Sequence, residues 1–222
     1  AGYKFLGWYT EAVGGDQIAD ENGNFATAWE KDSNDEIYYA HWAEILKFVQ
    51  PAGASYYFVE KGAYLAYYQI TEITIPRTYN GLPVERIADG AFADCTALEV
   101  INIYDSIKSI GITTGDGTSS SGPFAGCTSL RAINVLDPGP DSTYISIDGV
   151  LIADEKSSTG LKSLAFVPAT RFVEFTIPYG VQRIPTKIFA NSTVQKVIIP
   201  ATVEEIAANA FYNCKNLKTV EF

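Results

Sequence analysis

The chain repeats a pattern of apolar positions in which a phenylalanine is followed at fixed spacings by a small residue, a leucine and two more apolar residues. Three segments share the spacing F-x2-C-x2-L-x2-[IV]-x-[IVF]: FADCTALEVINI (92–103), FAGCTSLRAINV (124–135) and FYNCKNLKTVEF (211–222). The last two apolar positions lie two residues apart, which places both side chains on one face of a strand. Each segment therefore predicts a turn followed by a short β-strand.

A fourth segment, FANSTVQKVII from Phe189, keeps the pattern with one residue fewer and has Ser192 in the place of the cysteine. Another small side chain can therefore replace the cysteine. An apolar pair, [VI]-x2-I, precedes the phenylalanine in VERIADGAF, VQRIPTKIF and VEEIAANAF, so the repeat has two apolar blocks. Before Phe124 the blocks are separated by GITTGDGTSSSGP, whose Gly, Ser and Thr content predicts a flexible surface loop.

The strand block recurs along the chain, with copies that begin at residues 70, 98, 130, 161, 172, 194 and 217. Its basic period of 22 or 23 residues falls in the range of leucine-rich repeats, about 20 to 29 residues. One repeat cannot bury its apolar face alone, but parallel rungs stacked about 4.8 Å apart form a continuous apolar column. We therefore predict a mainly β solenoid with parallel rungs and short helical or 3-10 turns. The phenylalanines and the isoleucines before them should fill the wall opposite the strands.

One spacing breaks the period. Only the five residues VPATR separate Phe166 from Phe172, too few for a solenoid turn, so one of the two flanking strands must leave the parallel ladder. Nearby, YISIDGVLIAD has Asp148-Gly149 between alternating apolar residues, a sequence typical of a tight hairpin turn. We therefore predict one antiparallel β-hairpin excursion over about residues 144–168.

The C-terminal segment IPYGVQRIPTKIFANSTVQKVIIPATVEEIAANAFYNCKNLKTVEF resembles the BspA-like leucine-rich repeats, whose units run approximately I-P-x2-V-x2-I-x3-A-F-x2-C-x2-L-x2-V-x-[IF]. The resemblance covers about residues 55–222 and includes NGLPVERIADGAF and IDGVLIADEKSSTGLKSLAFVP, which are similar to variants of the same family. It implies an extracellular or bacterial cell-surface protein that binds other proteins and has no enzymatic activity.

The first 42 residues contain all three tryptophans, Trp8, Trp29 and Trp42, and no copy of the repeat. GYKFLGWYTEAVGGDQI and IYYAHW resemble the Listeria-Bacteroides repeat of bacterial surface proteins, a small β-grasp-like module, without its first strand and Gly-rich turn. We therefore predict a partial module over 1–43, a linker over 44–54 and the solenoid over 55–222. Because the chain starts within a motif and lacks an initiator Met, we expect it to be a fragment of a longer protein.

Composition narrows the range of partners. The formal net charge is −10, which repels phosphate backbones and argues against nucleic acid as a partner. No apolar run approaches the roughly 20 residues that a bilayer-spanning helix needs, so we expect no membrane insertion within this part of the protein. The three cysteines cannot all pair within one chain.

The residues that could support chemistry are few. Reactive cysteines need a nearby base, and the only histidine, His41, lies in the other module, so we interpret Cys95, Cys127 and Cys214 as buried free thiols. Disulfides between rungs are the disfavoured alternative, because Ser192 occupies an equivalent place. No set of residues has the spacing of a metal or phosphate site. We expect no catalytic residues, no metal and no cofactor.

The residues between the inward apolar positions of each strand should form an exposed, mildly polar sheet surface that binds partners through its area. The predicted contact residues on it are Glu72, Asn102, Asn134, Glu174, Lys196 and Glu221. The partners would be host matrix proteins or proteins of neighbouring cells. Glycan binding through exposed aromatic side chains and a structural spacer role are the alternatives. The last strand, KTVEF, has no polar cap after it, which predicts weak homodimerisation through that edge.

Overall fold

The computed structural model describes residues 2–25, 37–66, 69–112, 122–154 and 161–222. The first nine strands there are β1 (Tyr3–Tyr9), β2 (Gln17–Ala19), β3 (Tyr39–Glu44), β4 (Leu46–Val49), β5 (Tyr57–Lys61), β6 (Glu72–Thr74), β7 (Thr78–Tyr79), β8 (Leu82–Ala88) and β9 (Val100–Tyr104). They are followed by β10 (Ser109–Ile112), β11 (Ala132–Leu136), β12 (Tyr144–Ile147), β13 (Val150–Asp154), β14 (Lys162–Phe166), β15 (Glu174–Thr176), β16 (Arg183–Ile184), β17 (Lys196–Ile198), β18 (Glu205–Ile206) and β19 (Thr219–Glu221). The predicted class, mainly β with solenoid rungs, is confirmed.

The turns between the strands differ in detail from the expected short helices. Successive i to i−3 hydrogen bonds do occur, for example from Cys95 N to Phe92 O at 3.1 Å and from Leu98 N to Cys95 O at 3.1 Å. They do not continue into a helix, because Asp94 between them has a φ of +60°. In the described ranges the turns are therefore single turns, with neither α-helix nor 3-10 helix. Accordingly, no described segment is a helix able to cross a membrane.

The N-terminal residues form a separate antiparallel sheet with the order β2-β1-β3. Phe5 lies opposite Trp42 in the β1–β3 register, and the register shifts between Phe5 and Gly7. A Cβ atom at Gly7 would lie 2.1 Å from the carbonyl oxygen of Ala19, so only glycine allows this close approach of the two strands. The structure shows a small sheet here, and its relation to the Listeria-Bacteroides repeat stays a prediction.

The segment predicted as a linker, 44–54, contains a strand. Strand β4 pairs in antiparallel orientation with β5, and β5 pairs in parallel orientation with β8. Leu46 is buried in the solenoid core, and Phe48 stacks on Tyr79 with ring centroids 4.3 Å apart. Burial of these two alternating side chains explains why the segment is extended. Strand β4 covers the outer edge of the first rung and joins the N-terminal sheet to the solenoid without a free linker.

The solenoid has two rows of strands. One row contains the strands that precede the phenylalanines, and it includes the parallel pairs β5–β8, β8–β10, β14–β16 and β16–β18. The other row consists of two three-stranded parallel sheets with the orders β11-β9-β6 and β15-β17-β19. The inward side chains of both rows pack together, as the fully buried Ile87 and Ile101 show. The core therefore lies between the two rows.

The corners between the rows are built from the repeated phenylalanines. The rings of Phe92 and Phe124 stack at 5.9 Å, and those of Phe189 and Phe211 stack at 4.9 Å. Neighbouring corners also bond through their backbones, as from Phe92 N to Pro123 O at 2.9 Å. The residue before the cysteine or serine has a positive φ in every copy, which suits the residues found there, namely Asp94, Gly126, Asn191 and Asn213.

The predicted antiparallel excursion is confirmed. Strands β12 and β13 form a hairpin, and β13 also pairs in antiparallel orientation with β14. The short spacing between Phe166 and Phe172 is explained because β14 belongs to the first row, where Ser163 lies opposite Arg183. The five residues VPATR therefore only cross from one row to the other. The strand block at residue 161 is not an outward rung like the other six.

The tip of this hairpin separates the two sheets of the second row. Asp148 and Gly149 have φ values of +50° and +76°, as a two-residue hairpin turn of the I′ type requires. The Gly149 carbonyl accepts a hydrogen bond from Ile133 N of β11 at 3.0 Å. Arg171 bonds to the tip and to the strand region beside it. Its Nη2 lies 2.6 Å from Asp148 Oδ1, and its Nη1 lies 3.3 Å from the Arg131 carbonyl oxygen.

Gly149→Ala tests this docking of the hairpin tip. A Cβ atom there would lie 2.7 Å from the Cβ of Ala132, so we expect a loss of about 2 kcal/mol or more in the free energy of unfolding. Gly81→Ala is the matched control, because Gly81 follows Asn80 in a similar turn with a φ of +80° and nothing within 4 Å of its Cβ position. The control should lose about 1 kcal/mol. Equal losses in urea denaturation would contradict the close packing of the tip.

Candidate functional site

The candidate site is the surface formed by the outward side chains of β6, β9, β11, β15, β17 and β19, which we call the outward face. The parallel register aligns these side chains in rows across the strands. In the first sheet, one row is Thr74, Asn102 and Asn134; in the second sheet, one row is Glu174, Lys196 and Thr219. The inward side chains alternate with them and are buried, apart from the half-buried Val220 of β19. Only the outward side chains are therefore available to a partner.

Three of the predicted contact residues form one hydrogen-bond network. Asn102 Nδ2 donates to Glu72 Oε1 at 2.7 Å and to Thr74 Oγ1 at 3.3 Å. Asn102 Oδ1 accepts a hydrogen bond from Asn134 Nδ2 at 3.0 Å. Only 8% of Asn102 is exposed, although it lies on the outward face. Asn102 therefore orients its neighbours, and Glu72 and Asn134 are the more accessible members of the network.

The other three predicted contact residues form an ionic triad. Lys196 Nζ lies 3.0 Å from Glu221 Oε1 and 3.2 Å from Glu174 Oε1. The hydrogen bonds to Glu221 and Glu174 raise the pKa of Lys196 above its ordinary value. All three side chains are partly exposed, so solvent screens the pairing and it contributes little to stability. The triad leaves a net negative charge on this half of the outward face.

The six predicted residues thus fall into two groups of three, with the hairpin tip between the two sheets. Their assignment as ligand contacts stays a prediction, since each group is first of all a set of mutual partners. Arg171 is the residue that the sequence analysis missed. It connects the tip to the residue that precedes strand β11, through the Arg131 carbonyl, 40 residues away in the chain. No local pattern marks such a long-range contact.

The cysteines occupy the interior of the corners. Cys127 Sγ donates to the carbonyl oxygen of Phe92 at 2.9 Å, and Cys214 Sγ donates to that of Phe189 at 2.9 Å. In the equivalent place, Ser192 Oγ donates to the carbonyl oxygen of Ala169 at 3.0 Å. Each side chain bonds to the preceding corner of the solenoid, which explains why serine can replace cysteine.

All three cysteines are free, as predicted; Cys95 is buried and the other two are half-buried. Burial raises the pKa of each thiol above its ordinary value, and raises that of Cys127 to about 11. A raised pKa keeps these groups protonated at neutral pH, where the thiolate is the nucleophilic form. The geometry therefore supports a packing role for the cysteines.

The N-terminal sheet exposes several aromatic side chains. Trp8 is 45% exposed and Trp42 is 59% exposed. Both rings contact Phe5, with centroid distances of 5.8 Å and 4.9 Å. His41 stacks on Tyr9 at 4.0 Å, and its Nε2 lies 2.8 Å from a backbone carbonyl oxygen, as expected for a surface histidine beside an aromatic ring. Trp29 lies outside the described residues.

The two rows of stacked strands and the repeated corners define a leucine-rich-repeat solenoid. The family described as the BspA type Leucine rich repeat region matches the chain in six copies, over residues 58–134 and 151–222. The chain therefore belongs to the BspA-type leucine-rich repeat family, as the repeat pattern had indicated. The match begins after the N-terminal sheet.

Several solved structures are similar to this chain. A leucine-rich repeat protein from T. pallidum is 22% identical, with a TM-score of 0.46, over 79% of this chain and 68% of that one. The pneumococcal vaccine antigen PcpA is 20% identical, with a TM-score of 0.46, over 69% of this chain and 40% of that one. A leucine-rich cell surface protein from Faecalibacterium prausnitzii is 18% identical, with a TM-score of 0.39, over 80% and 75% of the two chains. No curated protein sequence matches the chain.

Cys127→Ser should leave the stability at pH 7 within about 1 kcal/mol of the parent, because a hydroxyl can make the same bond that Ser192 makes. The variant should also be less sensitive to high pH. Since the folded-state pKa of Cys127 is about 11 and a free thiol titrates near about 8.5, the unfolded state loses its proton first. The stability that this thiol contributes is therefore full below about pH 8.5 and falls as the pH rises towards 11.

Urea denaturation of the parent and of Cys127→Ser at pH 7, 9 and 10.5 checks this expectation. Tyrosine and lysine side chains titrate in both proteins, so the difference between the two curves isolates Cys127. Parallel pH profiles would show that the thiol is not held in its protonated form by burial.

Asn102→Asp should destabilise the solenoid by about 1–3 kcal/mol at pH 7, because it sets a carboxylate against that of Glu72 at a nearly buried position. This loss of stability should become smaller as the pH falls through about 4, where carboxylates become protonated. The double variant Glu72→Gln/Asn102→Asp provides the control, since the glutamine amide can donate to the new carboxylate. Thermal denaturation that shows no recovery in the double variant would contradict the network.

Proposed function

We propose that the chain is a non-enzymatic binding module of a bacterial cell-surface or secreted protein. Its outward face would bind host matrix proteins or proteins of neighbouring cells. The supporting observation is the parallel register of the strands in the second row. This register places polar side chains such as Glu72, Thr176 and Thr219 on an exposed surface, while the alternating apolar side chains pack into the core behind it.

An array of outward side chains across several rungs favours recognition of a folded or extended protein. Stable protein interfaces bury about 800 Å² on each partner, which a sheet surface across several rungs can supply. The half of the face that contains the ionic triad has two carboxylates against one lysine, and the whole chain carries a formal charge of −10. A partner with basic side chains would therefore be steered towards it.

The location outside the cell is part of the same proposal. It rests on membership of the BspA-type family and on the resemblance of the N-terminal residues to a repeat of bacterial surface proteins. Against an enzyme, the cysteines are held as protonated thiols by burial, and two carboxylates of the outward face are bonded to Lys196.

The binding role is tested by capture of host extracellular matrix proteins on the immobilised chain. The test variant is Thr176→Arg/Thr219→Arg, which adds a large, positively charged side chain at two exposed positions of the outward face. The control is Thr96→Arg/Thr128→Arg, which makes the same change at two exposed threonines in the corner turns. We expect the first variant to lose at least about tenfold in retained partner, the size of effect seen at binding hot spots, and the control to match the parent.

Equal retention by both variants would exclude the outward face as the binding surface. If neither the parent nor the control retains any matrix protein, the proposed binding role fails and the structural spacer role is favoured. Both variants must unfold at the parental urea midpoint, so that a loss of binding reports on the surface alone.

Glycan binding is the second candidate, and exposure of Trp8 and Trp42 favours it. Flat aromatic rings can stack on sugars. Binding to a glycan array should then disappear in Trp8→Ala while the fold is retained. An array without any bound glycan would eliminate this candidate.

Weak self-association through strand β19 also stays a proposal. It is supported by the position of β19 at the edge of its sheet in the described structure, since an unpaired edge can add another strand. Light scattering at rising protein concentration should show a growing mean mass, and a constant monomer mass would contradict it.

A further inference from the structure

We propose that strand β15 is a docking edge for an extended peptide segment of a protein partner, which adds to the sheet as an extra parallel strand. The inference rests on the proposed function only in taking the partner to be a protein. It names where the partner's backbone binds and which side chains that segment carries.

The edge is defined by the hydrogen bonds of β15. In its sheet, β15 pairs with β17 and with no other described strand. Val173 O accepts from Lys196 N at 3.2 Å, and Ile177 N donates to Ile198 O at 2.9 Å. Because backbone groups alternate in direction along a strand, those of Glu174 and Thr176 point to the opposite edge.

The hairpin tip explains why this edge is open. In an uninterrupted ladder, β15 would pair with a rung on its upstream side. The tip lies on that side, across a cleft from β15, but bonds to β11, through Ile133 N to Gly149 O at 3.0 Å and Val135 N to Ser146 Oγ at 2.9 Å. The hairpin therefore accepts hydrogen bonds from the backbone N–H groups at the edge of β11. The facing edge of β15 has no backbone partner among the described residues.

A cleft of about 250 Å³ lies between the tip and β15. Its walls are Ile147 and Val150 on the hairpin and Phe172, Phe175 and Pro178 on the other side. Ile147 is 46% exposed, which is unusual for a large apolar side chain beside a groove. The cleft thus combines open backbone groups with an apolar lining, the two features that strand addition uses for affinity and for specificity.

The charges at the cleft select the side chains of the incoming strand. Asp148 is already paired with Arg171 at 2.6 Å. Glu174 is paired with Lys196 on its β17 side only, so its carboxylate can accept a second cation from the open side. The row across the sheet then predicts Lys or Arg beside Glu174, followed by an apolar residue beside Phe175. The partner segment is therefore extended, basic at one position and β-branched or apolar at its neighbours.

The probe is a fluorescent peptide with the sequence VQKVII, which is the sequence of residues 194–199 and already pairs with the other edge of β15. In the same register, its lysine lies beside Glu174 and its fourth residue beside Phe175. We expect saturable binding by fluorescence anisotropy at peptide concentrations below about 1 mM. We also expect slower hydrogen exchange at the amides of Glu174 and Thr176 when the peptide is bound.

Two sets of controls separate strand addition from unspecific adsorption. N-methylation at the fourth residue of the peptide removes a backbone donor that faces β15 and should abolish binding, whereas N-methylation at the third residue faces away and should weaken it much less. On the protein, Glu174→Gln should weaken binding about threefold. Glu221→Gln is its matched control, because it removes the other carboxylate of Lys196, away from the cleft.

Binding that tolerates both N-methylations, or that leaves the Glu174 and Thr176 amides unprotected, overturns the proposal, as does the absence of binding. These outcomes are distinct from failure of the proposed function. If matrix proteins are captured but the VQKVII peptide neither binds nor displaces them, the outward face binds without strand addition. If the peptide binds with the expected controls while no matrix protein is captured, the edge is a peptide site and the proposed partners are wrong.

Discussion

The structure depends on the burial of each rung's inward side chains against the rungs on either side. Ile73, Ile101 and Ile133 lie in register on three consecutive outward strands and are almost completely buried, yet none of the three short strands could bury its isoleucine alone. The corner phenylalanines extend the same principle around the coil, since Phe92 and Phe189 are buried by stacking on the next corner. Stability is therefore distributed between neighbours, and the outward face carries little of it.

The hairpin excursion shows how a solenoid tolerates a break in its period. The interruption adds strands β12 and β13, and their apolar residues Val150, Leu151 and Ile152 fill the core on both sides of the break. The apolar column thus continues through the insertion although the ladder of backbone hydrogen bonds does not. On one side of the break, the tip bonds to the backbone of β11. On the other side, β15 is an edge strand of its sheet. A local discontinuity of this kind creates a cleft beside the tip, and binding sites tend to form in clefts.

The outward face itself is organised by contacts between rungs. The amide of Asn102 and the ammonium of Lys196 each connect three strands, and the nearly buried Asn102 holds its hydrogen-bond partners in place before any partner arrives. Preorganisation lowers the entropic cost of binding. Under the proposed function, a partner would reach accessible members of these networks such as Glu72, Asn134 or Glu174, and could not use the buried amide of Asn102.

Features that repeat along the chain, or that depend on local backbone geometry, can be predicted from the residues alone. The period of Phe92, Phe124, Phe189 and Phe211 defined the solenoid, and Asp148-Gly149 defined the hairpin, because each reflects packing or backbone conformation within a few residues of the chain. Ser192 likewise identified the cysteine position as a packing site. Contacts between distant parts of the chain emerged only once the chain had folded: the parallel pairing of β5 with β8, the membership of β14 in the first row and the burial of Asn102. Pairing and burial depend on which rung lies alongside, and no local pattern contains that information.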